Sequence, residues 1–117
     1  MKATKLQYRL IYIFGSPYVA PRRGETVRLL VIGAVAAGTS AAAKARRNRE
    51  DMEIVIYERD RYISYSGCGM PYYVGGELTD YEELVPRDTE YFKKKYNIDV
   101  LTEHEVLEID PGSKRIK

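Results

Sequence analysis

The distribution of hydrophobic and polar residues predicts a β-α-β unit that begins at Val27. Residues 27–32 form a nearly continuous apolar run that stops at Gly33, a pattern typical of a parallel strand buried on both faces. Residues 35–47 are rich in alanine and end in basic side chains, which favours a helix. A second apolar run at 53–57 predicts the next strand. We therefore predict an α/β fold in which helices flank a parallel sheet.

Shorter elements follow this unit. In chain order we predict a glycine-punctuated loop at 64–76, a helical turn at 80–85, a helix at 89–96 with Asp88 as its N-cap, a third parallel strand at 98–101, and the start of an antiparallel β hairpin from 105–109 and 115–117. The sequence ends inside the last predicted strand, so we expect the domain to be partial.

The first 26 residues differ from the rest of the chain. An alternating apolar stretch at 8–14 is followed by glycine and proline residues typical of a loop. We therefore divide the chain into an N-terminal extension, 1–26, and the N-terminal part of an α/β domain, 27–117.

Composition limits the classes of partner. The chain has 117 residues and a formal net charge of +2, an imbalance too small to indicate nucleic acid. No apolar run reaches the roughly 18 residues that a membrane-spanning helix needs, so no membrane partner is expected. The single cysteine excludes an internal disulfide and favours a reducing cytoplasm.

A glycine turn joins the first strand to the first helix. Gly33 and Gly38 meet two requirements of a Rossmann-like dinucleotide fingerprint, a tight turn and close packing of helix on sheet, while Val35 fills the slot of the usual second glycine. Alone, this turn could serve packing only, and Glu58 could be a solvated loop acid. Glu58 nevertheless ends the second strand twenty residues after Gly38, where a carboxylate accepts hydrogen bonds from an adenosine ribose. The turn, helix and acid in register favour nucleotide binding.

Cys68 is the candidate reactive group. Most single cysteines are small buried hydrophobes, but Gly67 and Gly69 flank this one and give access to it. Pro71 is tolerated in a first helical turn, so a helix is expected to begin near Cys68, and its N-terminus would favour the reactive thiolate. Any redox partner must be a small thiol, a sulfenic oxygen or another chain.

The remaining polar residues give weaker signals. His104 is a lone histidine in a strand-like stretch, for which a structural role is favoured over that of a base or ligand. No Cys/His cluster has metal-ligand spacing, so no metal site is predicted. Ser40 has no histidine in a nucleophilic arrangement, so the sequence does not support hydrolase chemistry.

Three blocks at 31–38, 57–60 and 63–76 resemble, in this order and spacing, the start of coenzyme A-disulfide reductases. The closely related NADH oxidases and peroxidases share much of the pattern. The resemblance covers 27–117 and implies the N-terminal part of an FAD-binding domain, within a flavoprotein that is usually a homodimer and several times longer. Residues 1–26 have no counterpart in the family, and an upstream start choice is our hypothesis for them.

The resemblance also implies roles for individual residues. Cys68 would lie beside the flavin ring and form a mixed disulfide with coenzyme A. The implied FAD-binding residues are Gly33, Ala36, Ala37, Gly38, Glu58, Arg59 and the backbone of Val106. The implied coenzyme A contacts are Ser40, Lys44, Arg47 and Ser64. NAD(P)H would bind outside this chain. Gly67 departs from some coenzyme A-disulfide reductases, which carry a polar residue there.

Three functions remain open from the sequence. In the first, electrons pass from NAD(P)H through FAD to a small-molecule disulfide or persulfide at Cys68. In the second, Cys68 cycles through a sulfenic acid while oxygen or peroxide is reduced. In the third, this chain binds a nucleotide without catalysis, because it contains no second dinucleotide fold.

Overall fold

The computed structural model describes residues 27–117, so the expectations for 1–26 lie outside the described residues. Its helices and strands, in chain order, are β1 (Arg28–Ile32), α1 (Val35–Asn48), β2 (Glu53–Tyr57), α2 (Met70–Val74), α3 (Thr89–Tyr96), β3 (Asp99–Leu101), β4 (Ile109–Asp110) and β5 (Arg115–Ile116). Two 3₁₀ turns, Gly67–Gly69 and Tyr81–Leu84, lie between β2 and α3. The predicted α/β class is confirmed.

Three strands form a parallel sheet in the order β1-β2-β3. In the first pair Arg28 lies opposite Glu53, and in the second Val55 lies opposite Asp99. The parallel register brings the carboxyl ends of all three strands to one edge, where ligands bind in open α/β sheets. A separate antiparallel pair, β4 and β5, follows the sheet.

The core lies between the sheet and its helices. Along β2 the alternating residues Ile54 and Ile56 are fully buried. The face of α1 that meets the sheet is formed by small residues, Gly38, Thr39, Ala42 and Ala43. Small side chains let the helix approach the strands closely, which places the N-terminus of α1 directly above the strand ends.

β1 is more exposed than its apolar sequence predicts. Leu29 is buried, but Ile32 at the carboxyl end of the strand is 46% exposed. Within residues 27–117, β1 pairs only with β2, so its other edge carries no strand. Only Leu29 of the five residues of β1 is buried, so the expectation of burial on both faces is wrong for the described part of the chain.

The two longer helices are joined at their C-terminal ends. The Asp88 side chain accepts a hydrogen bond from the Tyr91 amide, which confirms the predicted N-cap of α3. The helix ends at Asn97, whose left-handed φ of 50° is tolerated by asparagine. Arg46 of α1 donates to the carbonyl oxygens of Tyr96 and Asn97 at 2.8 and 2.9 Å. This guanidinium fixes α3 against α1.

The predicted hairpin is confirmed in kind but is shorter than expected, with two residues in each strand. Asp110 accepts hydrogen bonds from the amides of Gly112 and Ser113 and so fixes the turn. No helix within 27–117 is both long enough and apolar enough to cross a bilayer.

Candidate functional site

The glycine turn between β1 and α1 depends on close backbone packing. Gly33 has a φ of +85° and donates its amide to the Tyr57 carbonyl at 2.8 Å. A Cβ on Gly38 would lie 1.8 Å from the Gly33 carbonyl oxygen, so no other residue fits there. A Cβ on Gly33 would meet nothing within 4 Å, which leaves this side of the turn open. Both glycines therefore meet the predicted requirements of the turn.

Val35 opens α1 in a strained conformation. Its φ is +30°, a value that is uncommon for any residue with a side chain and an outlier for a β-branched one. Val35 stands in the slot that the dinucleotide fingerprint usually gives to glycine. The backbone geometry explains why glycine suits that slot, because glycine adopts positive φ without steric cost.

Glu58 is buried at the end of β2 and contacts this turn. Glu58 is only 6% exposed. Its Oε2 atom accepts a hydrogen bond from the Ala34 amide at 2.7 Å, and its Oε1 atom accepts one from the Asp60 amide at 3.0 Å. The alternative of a solvated loop acid is therefore wrong. An ionised carboxylate offers about four acceptor directions, so capacity for further hydrogen bonds remains. The sequence did not indicate the Ala34 contact, which joins residues 24 apart.

The other implied FAD-binding residues lie around the same edge of the sheet. Ala36 and Ala37 are exposed in the first turn of α1, and Arg59 is exposed directly after Glu58. The His104 amide donates to the Glu58 carbonyl at 2.9 Å. This hydrogen bond joins the segment after β3, which leads to half-buried Val106, to the end of β2. His104 thus has a structural contact through its backbone.

Cys68 lies in the middle of the 3₁₀ turn Gly67–Gly69, and it is exposed. The alternative of a small buried hydrophobe is wrong. A helix does begin close by, at Met70, with Pro71 in its first turn as predicted. It has only five residues, so few peptide dipoles are aligned behind the thiol. Accessibility is therefore the main property that the structure gives to Cys68.

The turn that carries Cys68 is attached to the segment before α3. The Ser66 amide donates to the Leu84 carbonyl at 2.7 Å, and the Ser64 hydroxyl donates to the Arg87 carbonyl at 2.7 Å. Ser64 therefore has a structural partner in addition to its implied role near the thiol. Leu84 was not singled out from the sequence, although it is the buried apolar residue of an otherwise polar 3₁₀ turn.

Tyrosine rings pack around the same segment. The rings of Tyr62 and Tyr73 lie 5.2 and 5.8 Å from that of Tyr81, between centroids. The Tyr62 hydroxyl contacts the Glu82 carboxylate at 3.2 Å. Partial desolvation, followed by the negative charge of Glu82, raises the pKa of Tyr62 above its ordinary value. These contacts give three of the eleven tyrosines of the chain a packing role.

The implied coenzyme A contacts on α1 share an exposed face. Ser40, Lys44 and Arg47 are spaced by four and three residues and are all exposed. Arg46, by contrast, is used to fix α3. Within the described part of the chain, no hydrogen bond or ion pair joins the side chains of Ser40, Lys44 or Arg47 to the Cys68 turn. The three remain together on the helix, and their link to Cys68 stays a prediction.

Comparison with known proteins identifies the family. Residues 27–117 match the family model described as pyridine nucleotide-disulphide oxidoreductase. The coenzyme A disulfide reductase of Staphylococcus haemolyticus is 40% identical over 71% of this chain and 19% of its own length. An NADH oxidase of Methanocaldococcus jannaschii is 35% identical over 78% of this chain and 20% of its own length.

The fold agrees with this assignment. The structure of reduced CoADR-RHD from Bacillus anthracis has a TM-score of 0.70 and 33% identity, covering 82% of this chain and 19% of that one. The chain thus spans about a fifth of the length of these relatives. Since the family model matches the whole described region, this chain belongs to the pyridine nucleotide-disulphide oxidoreductase family.

Proposed function

We propose that the protein is an FAD-dependent oxidoreductase most like a coenzyme A-disulfide reductase, in which electrons from NAD(P)H reach a disulfide at Cys68. The observation that carries the proposal is the exposure of Cys68 in a glycine-flanked turn. A thiol in this setting is open to disulfide exchange, which a buried cysteine is not. The relatives named above supply the substrate class, and the whole enzyme extends beyond this chain.

The glycine turn fits the pyrophosphate of FAD. Close approach of the phosphates requires bare backbone, and the side of Gly33 that a Cβ would fill is open. Gly38 keeps α1 against the strand ends, and Glu58 is placed to accept hydrogen bonds from a ribose. We assign the rest of the contacts to Ala36, Ala37, Arg59 and the Val106 backbone. FAD, when bound, supplies the electron chemistry between nicotinamide and sulfur.

Cys68 takes part in a thiol–disulfide exchange with coenzyme A. The Cys68 thiolate attacks one sulfur of coenzyme A disulfide, so that a Cys68–coenzyme A disulfide forms and one coenzyme A thiolate leaves. Two electrons, originating from NAD(P)H, then break the mixed disulfide into the Cys68 thiolate and a second coenzyme A thiolate. Each cycle consumes one disulfide and two electrons, and no second cysteine is needed.

The exposed face of α1 is proposed to bind coenzyme A. Lys44 and Arg47 are cations without an ion-pair partner among residues 27–117, and phosphate groups form charge-assisted hydrogen bonds with such side chains. Ser40 on the same face and Ser64 near the thiol add hydroxyl groups. The anionic ligand would thereby lie along α1 with its thiol directed to Cys68.

Intact mass and visible absorbance of the purified protein, before and after dithiothreitol, test this proposal. We expect flavin absorbance and a coenzyme A-sized adduct that dithiothreitol removes and Cys68→Ser abolishes. Lys44→Gln and Arg47→Gln together should weaken adduct formation from coenzyme A disulfide, while flavin absorbance stays unchanged. A protein that holds flavin but never accepts coenzyme A on Cys68 would refute the substrate assignment.

A second candidate is an NADH oxidase or peroxidase. It is favoured by the Methanocaldococcus jannaschii relative and by the open access of small oxidants to Cys68. Peroxide would convert the Cys68 thiolate into a sulfenic acid. Trapping with dimedone separates the two candidates, because a mixed disulfide with coenzyme A does not react as a sulfenic acid does. If the protein retains neither flavin nor an adduct, the third possibility, a non-catalytic nucleotide-binding chain, gains support.

We also propose a cytoplasmic location and a homodimer for the whole enzyme. A reducing compartment suits a single redox cysteine. The homodimer follows from the resemblance to the reductases and is tested by light scattering of the whole enzyme.

A further inference from the structure

A buried side chain from outside the cysteine motif packs against the turn that carries Cys68. Leu84 is 1% exposed and ends the 3₁₀ turn Tyr81–Leu84. A Cβ built on Gly69 would lie 2.5 Å from its Cδ2 atom. Leu84 therefore already occupies the space next to Gly69, and a side chain on the residue after Cys68 would force Leu84 or the turn to shift.

The backbone of Leu84 contacts the same turn. Its carbonyl accepts the Ser66 amide at 2.7 Å, and the Ser66 carbonyl in turn accepts the Gly69 amide at 2.9 Å. Ser66 thus links Leu84 to the residue that follows Cys68. Gly67, on the other side of the thiol, has nothing within 4 Å of a built Cβ. Of the two glycines that flank Cys68, only Gly69 is closely packed among the described residues 27–117, and its close neighbour is Leu84.

We propose that Leu84 is a positioning residue for Cys68. Its side chain limits how closely the Gly69 backbone can approach, and its carbonyl holds the Ser66 amide. The two contacts together determine the direction of the Cys68 thiol. Glycine at position 69 is then required by Leu84 and not by the thiol itself. The meaning of this inference for catalysis rests on the proposed function, but its structural content does not.

A double-mutant cycle between positions 69 and 84 tests the proposal. Because Cys68 is the only cysteine of the chain, the rate of alkylation by iodoacetamide reports on this thiol alone. Gly69→Ala should change the rate, and the size of this change should differ at least about twofold between the parent and the Leu84→Val background, the smallest coupling expected between residues in contact. In the Leu84→Val background, where the crowded Cδ2 methyl is gone, the same substitution should change it much less. An equal effect of Gly69→Ala in both backgrounds would overturn the proposal.

Matched controls separate positioning from general effects. Gly67→Ala adds a methyl group equally close to Cys68 along the chain but without a contact, so its alkylation rate should match that of the unaltered protein. If Gly67→Ala and Gly69→Ala act alike, Leu84 is not the cause and the proposal fails.

A second comparison applies even if Gly69→Ala does not fold. Leu84→Ala and Leu29→Ala both shorten a buried leucine, but Leu29 lies in β1, away from the thiol. Under native conditions only Leu84→Ala should change the alkylation rate. The same change in both variants would reveal loss of stability instead of lost positioning and would overturn the proposal. Neither flavin nor coenzyme A is needed, so failure here is distinct from failure of the proposed function.

Discussion

Replacing Gly38 with alanine should destabilise the protein although Gly38 lies inside a helix. In an exposed helix interior this substitution ordinarily stabilises by about 0.5–1 kcal/mol, because glycine loses more conformational entropy on folding. Here the added Cβ would lie 1.8 Å from the Gly33 carbonyl oxygen and 2.9 Å from the Gly33 carbonyl carbon. Both atoms belong to backbone that hydrogen bonds hold in place, so the overlap cannot be relieved by a rotamer change.

The magnitude follows from setting the two effects against each other. Overpacking a tight site costs about 1–3 kcal/mol, and displacing α1 would also disturb the Glu58 hydrogen bond to Ala34. A net loss of about 1–2 kcal/mol in the free energy of unfolding corresponds to a melting temperature lower by roughly 4–16 °C for a domain of this size. Because the turn itself moves, flavin retention should fall as well.

Thermal unfolding followed by circular dichroism measures this effect, with Gly67→Ala as the matched control. A Cβ on Gly67 meets nothing within 4 Å, so that variant should stay within about 0.5 kcal/mol of the parent protein. If Gly38→Ala melts at the same or a higher temperature than the parent, helix propensity dominates and the close-packing argument for the turn is refuted.

Three further substitutions test other contacts of the fold. Val35→Gly should raise the melting temperature slightly. Relief of about 1–3 kcal/mol of strain from the positive φ exceeds the roughly 0.5–1 kcal/mol that glycine costs in conformational entropy. Val35→Ala keeps a side chain at this φ and should not reproduce the gain. Glu58→Gln leaves either the Ala34 or the Asp60 amide without its acceptor and should cost about 1–3 kcal/mol in urea unfolding, so an unchanged midpoint would contradict the assigned hydrogen bonds. Arg46→Gln should lower stability by about 1 kcal/mol through loss of its contact with Asn97, whereas Arg47→Gln, on the exposed face, should leave the unfolding curve unchanged.

Local signals in the sequence were sufficient for much of the secondary structure. The bounds of β2 and α3 agree with the prediction, because a run of consecutive β-branched residues determines the strand and the Asp88 cap determines the start of the helix. The exposure of β1 was not predictable in this way. An apolar run indicates that a strand can be buried on both faces, but only the partners present determine whether it is.

Contacts between distant segments account for what the sequence did not predict at the site. Glu58 is predicted as a ribose ligand from its separation of twenty residues from Gly38 in the sequence. Its hydrogen bond to the Ala34 amide depends instead on how closely the start of α1 approaches the end of β2. Leu84 was invisible because its role depends on a glycine fifteen residues earlier. The spacing within a motif predicts which residues contact a ligand. Glu58 and Leu84 instead contact the backbone of the two turns, through Ala34 and Gly69.

The two glycines that matter most differ in how their space is limited, and this difference has a consequence. At Gly38 the obstacle is a backbone carbonyl, which no substitution elsewhere can shorten. At Gly69 the obstacle is the end of the Leu84 side chain, which a smaller residue removes. Gly38→Ala should therefore destabilise the protein in any background, whereas position 69 should accept alanine once residue 84 is smaller. The glycine turn between β1 and α1 is thus constrained by the backbone. The turn that carries Cys68 is constrained by the Leu84 side chain, so residues 69 and 84 can change together.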